Sequence, residues 1–250
     1  MLLGPERRLG PARLLVADVS GGVRRITLGS IEAGATHPRV RPARYRQPAL
    51  TVDPTGRRAY VVAARDRPLV ASVELASGQV EYHQPAEAPA ARAAKGNVDA
   101  RLRDARWLGS DSIAVTGFRS RPARRGSRFP PPEEPYGVRL IDTSDWTIRT
   151  LAEKPNQLWT AGDRLLAQGS TWSRGWRHRD STGLLGFDAD GRPLFTRFPG
   201  QEVLVAGATD THAYVWLRAT KRLHVLDLDD GHTLRKMPAR GRDVPILITP

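Results

Sequence analysis

The chain has 250 residues, with 39 lysines and arginines against 26 aspartates and glutamates, a formal net charge of +13 and no cysteine. Disulfides and cysteine-based metal or nucleophile sites are therefore excluded. The 20 prolines and 23 glycines fall as scattered punctuation, which excludes a collagen-like repeat.

Taken in chain order, the apolar start Met1-Leu2-Leu3-Gly4 is cut short by Pro5-Glu6-Arg7-Arg8, before a secretory core can form. Residues 14–19 and 23–28 are apolar runs around Ser20-Gly21-Gly22, a hairpin pattern with no strands before it. Residues 49–83 hold two hairpins. One turns at Asp53-Pro54-Thr55-Gly56 and the other at Ala76-Ser77-Gly78, with Ala59-Tyr60-Val61-Val62-Ala63 as a β-branched strand between them. The same double hairpin recurs over residues 105–151, 157–198 and 202–237. Its first turns lie in LGSDSIAVTG, AGDRLLAQGS and ATDTHAYVWL, and its second turns in RLIDTSDWTI, GFDADGRPLF and VLDLDDGHTL. Val244-Pro245-Ile246-Leu247-Ile248 forms a lone closing strand in this reading.

Two insertions interrupt the pattern. Residues 84–104 are Ala-rich and charged, with room for short helices on either side of Gly96-Asn97 or for a mobile loop. Residues 118–136 are Pro- and Arg-rich, expected to be irregular, and end in a polyproline run suited to a stiff spacer. Gly56, Gly78 and Gly231 fall at turn positions where a positive φ is expected.

Two hairpins per unit, repeated at roughly 40–55 residues, imply the four-stranded antiparallel blade of a β-propeller. The expected fold is thus all-β and a single domain over residues 1–250. Two counts are compatible with the pattern: about five blades, with residues 14–28 and 244–248 completing one of them, or the C-terminal part of a larger propeller.

With strands lettered A to D outward from the axis, the A–B and C–D turns share one end of the disc. The B–C loops and D–A connections share the other. The loop end collects most of the arginines, among them Arg39, Arg41, Arg44, Arg46, Arg65, Arg67, Arg92, Arg101, Arg103, Arg121, Arg124, Arg125, Arg218, Arg222, Arg240 and Arg242. The turn end carries aspartates such as Asp53, Asp111, Asp188 and Asp229. A basic loop face attracts an anionic partner; the plainer alternative is a set of solvated loops in an arginine-rich chain.

The sharpest candidate is Arg174, Trp176, Arg177, His178 and Arg179, where guanidinium groups able to bind phosphate alternate with an indole able to stack a ring. Arg121, Arg124 and Arg125 join it from the neighbouring insertion. Asp188-Ala189-Asp190-Gly191 and Asp227-Leu228-Asp229-Asp230-Gly231 resemble calcium loops, but they lack the spaced acids and terminal glutamate such a loop needs, and Asp-Gly is a hairpin signal. The six histidines show no metal-binding spacing, and no nucleophile elbow, phosphate-binding loop or dinucleotide fingerprint occurs. No catalytic residue, metal ligand or cofactor is assigned.

The units DPTGRRAYVVA…PLVASVELASGQV and HAYVWLRATKRLHVLDLDDGHTL resemble YVTN-type propeller blades, whose pattern runs DPxGxxxYV … xVxVIDxxTGxV. IDTSDWTIRTL and GFDADGRPLF carry the resemblance through the two middle units. As a whole the chain is similar to propeller proteins of GC-rich actinobacteria, whose relatives are often exported or surface-associated. The resemblance implies fold strongly and function weakly.

Three function classes fit. The first is a non-catalytic scaffold whose basic loop face docks a protein or an anionic polymer. The second is a lactonase-like propeller enzyme acting on a phosphorylated sugar, although no carboxylate, His and Arg constellation is assignable to it. The third is a nucleic-acid-binding propeller, disfavoured because aromatics are few on that face. The expectation is the scaffold: a monomer without a membrane span, soluble as written, and exported or surface-associated if the true start lies upstream.

Overall fold

A computed structural model describes residues 9–35, 45–64, 68–87, 99–120, 133–173 and 178–238, and every regular element among them is a strand. The first sheet contains β1 (Gly10–Ala17), β2 (Val23–Ala35) and the short β3 (Tyr45–Arg46), paired in that order. The second is a four-stranded antiparallel meander of β4 (Ala49–Val52), β5 (Arg58–Ala63), β6 (Leu69–Glu74) and β7 (Val80–His83). The chain then makes β8 (Ala86–Glu87) and enters a third sheet. Its four main strands are β9 (Asp99–Leu108), β10 (Ser112–Ser120), β12 (Val138–Asp142) and β13 (Thr147–Ala152), with β11 (Glu133–Pro135) beside the far end of β10. The fourth sheet is β14 (Gln157–Ala161), β15 (Arg164–Ser173), β16 (His178–Phe187) and β17 (Pro193–Arg197). The fifth is β18 (Val203–Ala208), β19 (His212–Leu217), β20 (Arg222–Asp227) and β21 (Thr233–Pro238).

The architecture is a β-propeller. Consecutive sheets pack face to face, and the first strands β4, β9, β14 and β18 approach one another around the axis. Four core clusters join the first sheet to the second, the second to the third, the third to the fourth, and the fourth to the fifth. Burial follows from this stacking. In β5, residues 59–63 are buried without alternation because both faces are covered: Ala59, Val61 and Ala63 toward the first sheet, Tyr60 and Val62 toward the third. In β19 every second residue is buried, with Ala213, Val215 and Leu217 toward the fourth sheet.

The turns form because their aspartates accept hydrogen bonds from backbone amides further along the turn. Asp53 Oδ1 accepts from the N–H of Arg57 (2.9 Å) and Arg58 (3.1 Å), and Asp188 Oδ1 from Asp190 (3.0 Å) and Arg192 (2.7 Å). Asp227 Oδ1 accepts from Asp229 N–H at 2.8 Å. The two calcium-like segments are thus hairpin turns whose carboxylates serve the backbone. Gly56, Gly78 and Gly231 have φ of +69°, +79° and +71°.

The insertions differ from their expected form at both ends. Ala86–Glu87 and residues 99–104 are strand rather than helix or mobile loop, and residues 118–120 and 133–135 are paired strand rather than irregular chain. The reason is register. Residues 99–102 pair with residues 117–120, so the innermost hairpin of the third sheet continues past the body of the blade. The closing strand expected at residues 244–248 lies outside the described residues.

A candidate binding groove between two strand fingers

At the loop end, two strand pairs overshoot their sheets. β15 pairs with β14 only over residues 164–168, yet its pairing with β16 runs on from Gly169↔Gly183 to Ser173↔His178. In the neighbouring sheet, β10 pairs with β12 only over residues 112–115, while its far end is held between β9 and β11. The resulting fingers stand side by side, with β11 in contact with β15.

Their bases are locked by backbone approach. A Cβ on Gly169 would lie 2.6 Å from Lys154 O. Ser181 Oγ donates to Gln201 O at 2.6 Å and lies 3.2 Å from Gly169 O. Thr116, fully buried beneath the other finger, donates from Oγ1 to Gly137 O (2.6 Å), with Pro155 O at 3.1 Å.

Between the fingers lies a groove of about 460 Å³. Arg119 and Glu134 come from β10 and β11, Glu153 and Lys154 from the connection after β13, and Asp180, Ser181 and Thr182 from β16. Arg119 and Glu134 are cross-strand partners, with Nε to Oε2 at 3.4 Å. The hydroxyls of Ser181 and Thr182 rest against backbone carbonyls, so the groove is lined for polar recognition. A cavity of about 260 Å³ at the turn end is lined by Asp111, Asp142 and Arg149, and one of about 280 Å³ beside the axis by Asp104, Arg106 and Trp159.

Two of the candidates expected from sequence fall on these fingers. His178 and Arg179 belong to β16, and Arg179 is the cross-strand partner of Trp172. Arg174, Trp176 and Arg177 lie outside the described residues, in the link between β15 and β16, as do Arg121, Arg124 and Arg125 in the link between β10 and β11. Asp180 closes the candidate segment 171–180 read from sequence, whereas sequence reasoning missed Arg119, Glu134 and Lys154. A signal for the first pair was present, since Arg119 and Glu134 flank an insertion at positions able to pair across a hairpin.

It also missed arginines that fasten one sheet to the next. Arg24 of β2 donates to the carbonyls of Leu75 and Ala76, Arg149 of β13 to Asp190 O, and Arg164 of β15 to Asp229 Oδ1 at 3.0 Å. Part of the positive charge is therefore structural.

No protein-family model matches the chain, and no curated protein matches it. Solved structures with similar folds include dihydro-heme d1 dehydrogenase NirN in complex with DHE, at 11% identity and a TM-score of 0.48, covering 91% of this chain and 42% of that one. BamB from Moraxella catarrhalis is 12% identical with a TM-score of 0.38, covering 92% of this chain and 62% of that one. The Myceliophteria thermophila Cps50 (Swd1) beta-propeller domain is 10% identical with a TM-score of 0.33, covering 91% and 87%. The chain thus spans less than half of NirN, and these likenesses carry no argument about activity or partner.

Proposed function

We propose that the chain is a non-catalytic YVTN-type propeller scaffold whose finger end docks a protein or an anionic polymer. The observation behind this reading is the pair of fingers flanking one polar groove. At their bases the charges offset one another, Arg119 against Glu134 and Lys154 beside Glu153. The sequence links between their strands have no such balance: residues 121–132 contain Arg121, Arg124, Arg125 and Arg128 and no acid, and residues 174–177 contain Arg174 and Arg177 and no acid. Cations concentrated in the sequence links between strands of a rigid scaffold suit capture of an anionic surface by long-range attraction.

The test is binding of heparin and of poly-L-glutamate over a salt series. Affinity should fall steeply with salt, and R174A/R177A/R179A should weaken binding on the order of tenfold without changing the far-UV spectrum. Unchanged affinity in that variant removes the β15–β16 finger from the proposal. Binding that ignores salt removes the electrostatic reading altogether.

A further inference from the structure

The groove between the fingers is more acidic than the chain around it. Glu134, Glu153 and Asp180 line it against Arg119 and Lys154, in a protein of net charge +13. A partner that offers only negative charge meets these carboxylates at close range and is repelled by them. Pro135 is the one apolar side chain among the described residues of the lining. The groove therefore lacks the aromatic or aliphatic pocket in which a protein partner seats its anchor residue.

Its charged groups carry hydrogen-bonding capacity that the fold does not use. Arg119 is half-buried, and its Nε lies 3.4 Å from Glu134 Oε2, so the acid pins the guanidinium by one edge. Among the described residues, the Nη atoms of Arg119, the Lys154 ammonium and the carboxylates of Glu153 and Asp180 have no hydrogen-bond or ion-pair partner. Thr182 Oγ1 gives its proton to a backbone carbonyl, with Gly183 O at 3.2 Å and Gly169 O at 3.3 Å, which leaves its lone pairs as acceptors. Unused donors from β10 and the connection after β13, and unused acceptors from that connection and β16, thus line one volume of about 460 Å³.

We propose, resting on the docking role above, that the groove seats one ring of an acidic polysaccharide, a uronic-acid unit, with its carboxylate on Arg119 and Lys154 and its hydroxyls on Asp180, Glu153 and Thr182. A sugar hydroxyl both donates and accepts, so it satisfies a carboxylate that another acid group repels. The Nη edge of Arg119 suits the two oxygens of a carboxylate. Glu134 holds that guanidinium before the ligand arrives, which lowers the ordering cost of binding. A polysaccharide repeats its unit, so the rings flanking the seated one supply negative charge to the wider positive field of the chain.

Trigalacturonate and N-acetylated, C-amidated triglutamate are the probes, because they match in carboxylates and differ in ring hydroxyls. At equal ionic strength trigalacturonate should bind saturably and about tenfold more tightly. Asp180 and Lys154 are exposed, so D180A and K154Q should fold. D180A should weaken trigalacturonate about tenfold and leave triglutamate unchanged or tighter, since it removes an acceptor from one ligand and a repelling charge from the other. K154Q should weaken both. An effect of D180A that is purely electrostatic or purely structural moves the two ligands together, and that result overturns the proposal. Triglutamate binding as tightly as trigalacturonate also overturns it, and assigns the groove to an acidic protein segment. If neither trimer binds while poly-L-glutamate keeps its salt-dependent binding, the polysaccharide inference fails and the docking role stands. If no polyanion binds, both fail.

Discussion

Gly183 shows how a single residue holds the finger to the body of its sheet. Its φ is +72°, and a Cβ placed there would lie 2.4 Å from both Arg197 O and Phe198 O. These atoms belong to the backbone and cannot move aside as a flexible side chain would. Gly56 has nearly the same φ, +69°, but nothing within 4 Å of the corresponding position. The two sites separate conformational strain from steric conflict. Gly56→Ala should cost about 1 kcal/mol. Gly183→Ala should cost about 3 kcal/mol or more, the backbone term plus displacement of residues 197–198. Urea titrations of both variants test this, and equal losses would mean that the close approach at Gly183 is relieved by small shifts.

Between elements, the connection leaving the second sheet laces the outer edge of the third. β8 pairs in parallel with β13, and Ala86 N–H donates to Trp146 O at 2.9 Å. Just before it, the His83 ring stacks on Trp146 at 3.7 Å between centroids and 4° between planes. Ser72 Oγ lies 3.3 Å from His83 Nε2 and Glu81 3.8 Å away. Burial pushes His83 below the usual histidine value of 6.5, against the pull of Glu81. His224 is shifted in the same direction, again by burial first.

Because the folded state holds both imidazoles less basic than the unfolded chain does, the unfolded chain takes up more protons in mild acid. The associated stability is complete above about 6.5 and is lost as pH falls through the lowered folded-state values. The urea midpoint should therefore drop between pH 7.5 and pH 5.5. Trp146→Ala should lower stability by about 1–2 kcal/mol and flatten that dependence, since an unstacked His83 is hydrated. Trp146→Gly is the control, because it loses the stack yet relieves the positive φ of +58°. A pH-independent midpoint between 7.5 and 5.5 would contradict this account.

Over the whole molecule, stability is shared between neighbours. Each core cluster joins one sheet to the next, and among the described residues none joins the first sheet to the fifth. Sheets two, three and four therefore have both faces in a core cluster. Amide exchange should be slowest in β5, β10 and β15 and faster in β1 and β21. Leu165, fully buried between the third and fourth sheets, is a direct probe of that coupling. Leu165→Ala should cost about 2–5 kcal/mol, with exchange accelerating in both flanking sheets. Acceleration confined to the fourth sheet would show that the sheets unfold independently.

Much of this architecture was written locally. The turn at Asp53 needs an acceptor at its first position and a glycine further on, and both are visible in the chain. The strand β19 follows from the aromatic and β-branched residues in His212-Ala213-Tyr214-Val215-Trp216-Leu217. These features involve residues a few positions apart, so sequence alone determined the all-β fold, the double-hairpin unit and the places of the turns. The fingers were not legible, because Arg-rich and Pro-rich composition suggested loops, whereas pairing with β9 and β11 carried β10 through residues 117–120. Nor could sequence bring Arg119 to Glu134, or reveal that Arg24, Arg149 and Arg164 serve neighbouring sheets. Those relations depend on how far each strand runs past its sheet and how adjacent sheets stack. Tertiary structure decides them because a charge acts on whatever the fold places within a few ångströms of it, however distant in the chain.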